Sequence, residues 1–143
     1  MESPIALLVM SHGDFAKAAI DSAELIVGKQ SNYATMGVVM TDELDSLKQE
    51  MREKVQQLDR KKGLLILTDI VGGTPTNLAS EFLMEEETLL VSGINLPVLL
   101  EILMNRANSL DTLKSLVKTA YKQGLSIRTK RDLEGEVDDD DLL

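Results

Sequence analysis

Apolar residues enter this chain as short unbroken runs separated by helix-length stretches, and that alternation limits the fold more than any other feature. Residues 5–10 read Ile-Ala-Leu-Leu-Val-Met and residues 64–67 read Leu-Leu-Ile-Leu. A strand apolar on both faces has to be covered on both, the condition of a parallel sheet held between helix layers. The spacing predicts strands over 5–10, 34–40, 64–68 and 89–94. Helices are predicted over 14–27, from 41 onward, and over 75–86, 97–105 and 111–123. The second helix carries Leu44, Leu47, Met51, Val55 and Leu58 in one apolar stripe. Lys61-Lys62-Gly63 closes it in the sense the helix dipole favours. Beyond Gly124, Leu125-Ser126-Ile127-Arg128-Thr129 alternates apolar and polar and predicts an antiparallel edge strand. The expected architecture is one α/β domain over 1–131, with a mostly parallel sheet covered on both faces. An acidic segment over 132–143 follows it.

Charge and composition remove several classes of function. The net charge is −9, but residues 132–143 hold seven acids and no base, leaving 17 acids against 15 bases in the rest. No basic patch marks a duplex-binding surface. Two Phe, two Tyr and no Trp leave few platforms for stacking single-stranded bases. Nucleic acid is therefore not an expected partner. The run Asp138-Asp139-Asp140-Asp141 reads as a solvated, disordered tail, because like charges repel and little apolar material anchors them. The absence of cysteine removes disulfides and thiolate metal sites. The Met-Glu-Ser-Pro start has no basic signal-peptide character and the first apolar run is too short to cross a bilayer, so a cytoplasmic protein is expected.

His12 is the single histidine, and it falls at the C-terminal tip of the first predicted strand, where open α/β sheets place their ligands. An imidazole there offers a neutral nucleophilic nitrogen near neutral pH. The third predicted strand ends in Asp69, followed by Ile70-Val71-Gly72-Gly73-Thr74-Pro75-Thr76-Asn77. This stretch reads as a glycine loop opening a helix, with Thr74 as N-cap and Pro75 at the first helical position. If the two strands are neighbours, Asp69 comes within reach of His12 beside helix N–H groups suited to an anion. Two readings stay open on these residues: a nucleophile with its orienting carboxylate and a phosphate cradle, or an ordinary strand–helix turn with Asp69 capping locally.

Other chemistries fit less well. A receiver-type phosphoacceptor needs an acidic pair after strand 1, where this chain has Ser11-His12-Gly13. Gly72-Gly73-Thr74-Pro75 lacks the Gly-Lys-Ser/Thr of a P-loop. One histidine and no cysteine argue against metal-assisted hydrolysis, and no metal or cofactor is expected. A Ser11–His12–Asp69 hydrolase is disfavoured because strand neighbours point to opposite faces. A non-catalytic anion- or nucleotide-binding module built on the glycine loop is the alternative function.

Three segments together resemble the enzyme IIA component of the mannose-type (mannose/fructose/sorbose/gluconate) phosphoenolpyruvate-dependent sugar phosphotransferase system. They are Leu8-Val9-Met10-Ser11-His12-Gly13, Thr68-Asp69-Ile70-Val71-Gly72-Gly73-Thr74-Pro75-Thr76-Asn77, and Ser92-Gly93-Ile94-Asn95-Leu96-Pro97-Val98-Leu99-Leu100-Glu101. The similarity spans roughly residues 4–130, and the Gly-Gly-Thr-Pro loop separates it from dihydroxyacetone-kinase phosphotransfer domains. Ile70 and Val71 stand where the family often has a hydroxyl residue or an aromatic. The resemblance implies that His12 accepts a phosphoryl group from phospho-HPr and passes it to a IIB component, and so indirectly to the membrane IIC and IID components. Such a transfer fits the residues. If Asp69 accepts the Nδ1 proton, the lone pair is fixed at Nε2. N–H groups around Gly72, Gly73 and Thr74, with the Thr74 hydroxyl, can meet the phosphoryl oxygens. The resemblance also implies a homodimer that exchanges C-terminal strands.

Overall fold

The computed structural model describes residues 2–85 and 87–140. In chain order the elements are β1 (Ala6–His12), α1 (Phe15–Val27), β2 (Tyr33–Val38), α2 (Leu44–Gln56), β3 (Leu64–Thr68) and α3 (Thr74–Ala79), which tightens into a 3₁₀ turn over Ser80–Met84. Then come β4 (Thr88–Ser92), α4 (Leu96–Met104), α5 (Leu110–Gln123) and α6 (Lys130–Asp140). The sheet runs β2-β1-β3-β4 with every neighbouring pair parallel. After β1 the chain steps to β2 on one side and then returns to β3 on the other. The crevice at that reversal lies between the C-terminal ends of β1 and β3, where α/β sheets open a binding site.

The unbroken apolar runs are explained by two separate cores. Ile5, Leu7, Val9, Leu65 and Leu67 face α1, α4 and α5. Ala6, Leu8, Met10, Leu64 and Ile66 face the opposite layer, with Met51 and Val55 of α2 and Leu78 beyond β3. Every residue of β3 is buried, as a central strand covered on both sides requires.

The far end of the sheet is tied by two polar side chains. Arg106 is 3% exposed. Its guanidinium donates twice to the Ile5 carbonyl, at 3.0 and 2.8 Å, and to the Ser31 and Asn32 carbonyls at 2.7 and 2.6 Å. Burial lowers its pKa to about 10, which leaves it charged at neutral pH. Asn32 donates to the Pro4 and Asp59 carbonyls and accepts from the Asp59 N–H, each at 2.8 Å.

Four details differ from the sequence expectation. Strand β2 ends at Val38, because the Asp42 carboxylate accepts from the Val39 N–H and the Asp42 N–H donates back to the Val39 carbonyl, forming a turn. Thr74 is not the N-cap of α3. Gly73 holds that position at φ +83°, and Thr74 and Pro75 are already helical. The predicted edge strand at 125–129 carries no regular structure within the chain, so the sheet is parallel throughout its four strands. A five-residue strand without a partner edge has nothing to hold it. Finally, part of the segment read as a disordered tail carries α6, opened by the Asp132 carboxylate accepting from the Thr129 N–H at 2.8 Å and the Thr129 hydroxyl at 3.0 Å. Residues 141–143 lie outside the described residues.

Arg106→Met should keep the volume but strip the guanidinium from the Ile5 and Ser31 carbonyls and leave the Asn32 carbonyl with the Leu7 N–H alone. A loss of about 2–4 kcal/mol in denaturant unfolding is expected. A loss below a few tenths would show that water replaces the guanidinium at no cost.

Candidate functional site

The two residues that the sequence sets 57 positions apart meet at the crevice between β1 and β3. His12 is the last residue of β1, and Asp69 directly follows β3. Asp69 Oδ2 accepts from the His12 backbone N–H at 2.8 Å and lies 2.7 Å from His12 Nδ1. Asp69 Oδ1 accepts from the Ile70 N–H at 2.9 Å. An ionised carboxylate only accepts, so Nδ1 carries the ring proton and Nε2 keeps its lone pair. The His12 side chain is 53% exposed and that of Asp69 12%. The nucleophilic edge is therefore open and its partner is sheltered.

Burial by itself would raise the Asp69 carboxyl. The hydrogen bonds from the His12 N–H, the His12 ring and the Ile70 N–H, with the charge of the imidazole when that ring is protonated, outweigh burial and hold it below the usual carboxylate value.

Close approach of backbone makes this geometry possible at two glycines. A Cβ on Gly73 would lie 3.2 Å from His12 Cε1 and 3.7 Å from Nε2, so the loop passes close against the Cε1 side of the ring. A Cβ on Gly37 would collide with the Gly13 carbonyl, just where the chain leaves the histidine. That turn is fixed further by the Gly13 N–H donating to the Val38 carbonyl at 2.8 Å. Ser11, fully buried, accepts from the Ala16 N–H at 2.7 Å and donates to the Gly13 carbonyl at 3.2 Å. Ser11 thus supports the turn and takes no part in a triad.

The loop after Asp69 is held by a hydroxyl cluster that sequence reading missed. Thr68 Oγ1 lies 2.7 Å from both Thr76 Oγ1 and Ser92 Oγ, and Thr76 donates to the Ile70 carbonyl at 2.6 Å. Thr68 and Ser92 stand opposite each other at the ends of β3 and β4. Two hydroxyls closing neighbouring strands were the available signal. Among the described residues, the N–H groups of Gly72, Gly73 and Thr74 donate to no protein acceptor, so they are free for an anion.

Beside the histidine, Val39, Met40, Leu44 and Thr74 line an open depression of about 540 Å³. Met40 in this lining is exposed, and so are Ile70 and Val71 in the loop after Asp69. Among the described residues no cluster of three or more His, Asp or Glu side chains could hold a metal ion, and no helix is long and apolar enough to cross a membrane.

The depressed Asp69 value fixes the sign of one pH effect. A carboxyl whose folded pKa lies below its unfolded value, about 3.9, stabilises the fold at neutral pH and loses that contribution as the pH falls through the folded value. Thermal melts of the chain and of Asp69→Asn should differ at neutral pH and draw together as the pH falls below the unfolded carboxyl value of about 3.9. A gap that stays constant with pH would show that the charge on Asp69 is not what stabilises.

Similarity to known proteins identifies the family of the chain. The family profile described as "PTS system fructose IIA component" matches residues 6–121. The mannose-specific EIIAB component of Escherichia coli K12 is 32% identical over 124 residues, covering 85% of this chain but 38% of that protein. The fructose-specific EIIA component of Bacillus subtilis is 29% identical over 125 residues and 86% of both chains. Among solved structures, the phosphotransferase system component EIIA of Streptococcus agalactiae superposes with a TM-score of 0.76 at 26% identity, covering 86% of this chain and 96% of its own. With a profile match running from the first strand to the last turns of α5, the chain belongs to the EIIA-man family of phosphotransferase-system IIA components.

Proposed function

We propose that the chain is a phosphoryl carrier of a sugar phosphotransferase system, accepting the group from phospho-HPr on His12 and passing it to a IIB component. The observation that carries this reading is the 2.7 Å contact of Asp69 with Nδ1 of an imidazole whose other edge is open. In the forward step the Nε2 lone pair attacks phosphorus and the P–N bond of the donor histidine breaks. The Nδ1 proton stays on the ring, and Asp69 stabilises the positive charge that forms there, as a triad carboxylate does. The free N–H groups of Gly72, Gly73 and Thr74 meet the phosphoryl oxygens. No arginine clamp stands in the three motif segments, so the group is held loosely enough to be passed on.

The exposed apolar side chains of Met40 beside the histidine and of Ile70 and Val71 in the loop after Asp69 suit a protein donor rather than a small charged one. Two successive protein partners on one histidine, HPr and IIB, require such a shared docking face. The IIC and IID membrane components are reached only through IIB, and the chain acts in the cytoplasm. Its working unit is residues 1–131. The working assembly is a homodimer in which residues 125–129 of each chain add to the free edge of β4 in the other, giving the antiparallel strand that one chain cannot hold alone.

Phosphoenolpyruvate, enzyme I and HPr should place one acid-labile phosphate on each chain, and His12→Ala should abolish it. Label retained in that variant refutes the assignment. Asp69→Asn should fold and still accept label, but more slowly by about 10²-fold. That is less than the loss of about 10⁴ in a triad enzyme, since a two-histidine exchange asks less of the carboxylate. An unchanged rate would reduce Asp69 to a cap.

A further inference from the structure

The exposed surface away from His12 has one strongly patterned region, on α5. Lys114, Lys118 and Lys122 stand four residues apart and so share one face of the helix. All three are exposed, and the ion pairs among the described residues engage other lysines. The one acid of α5, Asp111, lies in its first turn, three residues before Lys114, and Lys118 and Lys122 have no acid of the helix near them. Lys118 and Lys122, with Tyr121, wall a groove of about 350 Å³ with Val91, Val98 and Val117 on its lining. The groove runs beside the edge of β4 that pairs with no strand of the described chain.

The C-terminal arm has the complementary character. Leu125, Ile127 and Leu133 are 70%, 82% and 51% exposed. Every residue from Tyr121 to Gly135 is exposed, so the arm does not pack on α5 of its own chain. From Asp132 onward it carries seven acids and no base. Large apolar side chains left uncovered along a charged arm mark a surface that is buried in an assembly.

We propose that the acidic part of the arm, from Asp132 onward, docks on the Lys114–Lys118–Lys122 stripe of a second copy, forming an electrostatic clasp across the dimer. The inference rests on the exchanged dimer proposed above and adds what aligns it. The strand at 125–129 supplies hydrogen bonds and apolar burial, and the charges beyond it select the partner's helix face and speed association. Such steering weakens with salt, because exposed charges are screened beyond about 8 Å at physiological ionic strength.

The test uses the full chain in two reversed forms. One carries Lys114→Glu, Lys118→Glu and Lys122→Glu. The other carries Asp132→Lys, Glu134→Lys, Glu136→Lys, Asp138→Lys and Asp140→Lys. All of the substituted lysines are exposed, and circular dichroism checks that both forms fold. Each alone should dimerise about tenfold more weakly than the parent chain. Mixed in equal amounts, they should form heterodimers well above the half expected from random exchange, read by native mass spectrometry. Random pairing overturns the clasp and leaves the dimer standing. The same conclusion follows if dimerisation of the parent chain is indifferent to salt between about 0.05 and 0.5 M, where about a tenfold weakening is expected. A parent chain that is monomeric at tens of micromolar overturns both the clasp and the dimer.

Discussion

Asp69 Oδ2 receives two hydrogen bonds from one residue, the main chain and the ring of His12. The backbone bond fastens the end of β1 to the residue after β3, and the ring bond sets which nitrogen is free. The same oxygen therefore fixes where the imidazole stands and which edge it presents. Rotation of the ring would break one bond while leaving the other, so its orientation is tied to the junction of the strands.

That junction depends on the packing beneath it. The register Met10↔Thr68 at the β1–β3 boundary places the two exits side by side, and it is maintained by two apolar cores on opposite faces. A one-residue slip would send each inward residue of β3 to the wrong core. Arg106 and Asn32 close the opposite end, where their side chains donate to the backbone carbonyls of Pro4, Ile5, Ser31, Asn32 and Asp59. The site needs a rigid floor, and its own loops stay open.

Around the rigid pair, the remaining contacts are made by backbone. Gly73 brings the loop close against the histidine ring, and the Thr68–Thr76–Ser92 hydroxyls anchor that loop from below. In the proposed transfer, phosphoryl oxygens met by N–H groups instead of by a fixed cation would gain moderate stabilisation, which suits a group that has to leave as readily as it arrives.

Much of this was legible in the residues themselves. Unbroken apolar runs marked the two central strands as buried on both faces and so called for two helix layers, since only a doubly covered sheet removes both faces from water. A lone histidine and an aspartate, each at a strand tip, fixed the candidate chemistry, and Gly72-Gly73-Thr74-Pro75 fixed the start of a helix. Other features depended on contacts distant in the chain. Sequence could not give the order β2-β1-β3-β4, on which the meeting of His12 and Asp69 depends. Nor could it give the Thr68–Ser92 pairing or the approach of Gly37 to Gly13, because both join residues from different elements. The cap of α3 shifted from Thr74 to Gly73 for a similar reason: the loop has to pass close against His12, and only glycine takes the φ of +83° there without strain. Local propensity and burial pattern determine which elements form. Register and neighbour choice, set by packing between elements, determine what those elements bring together.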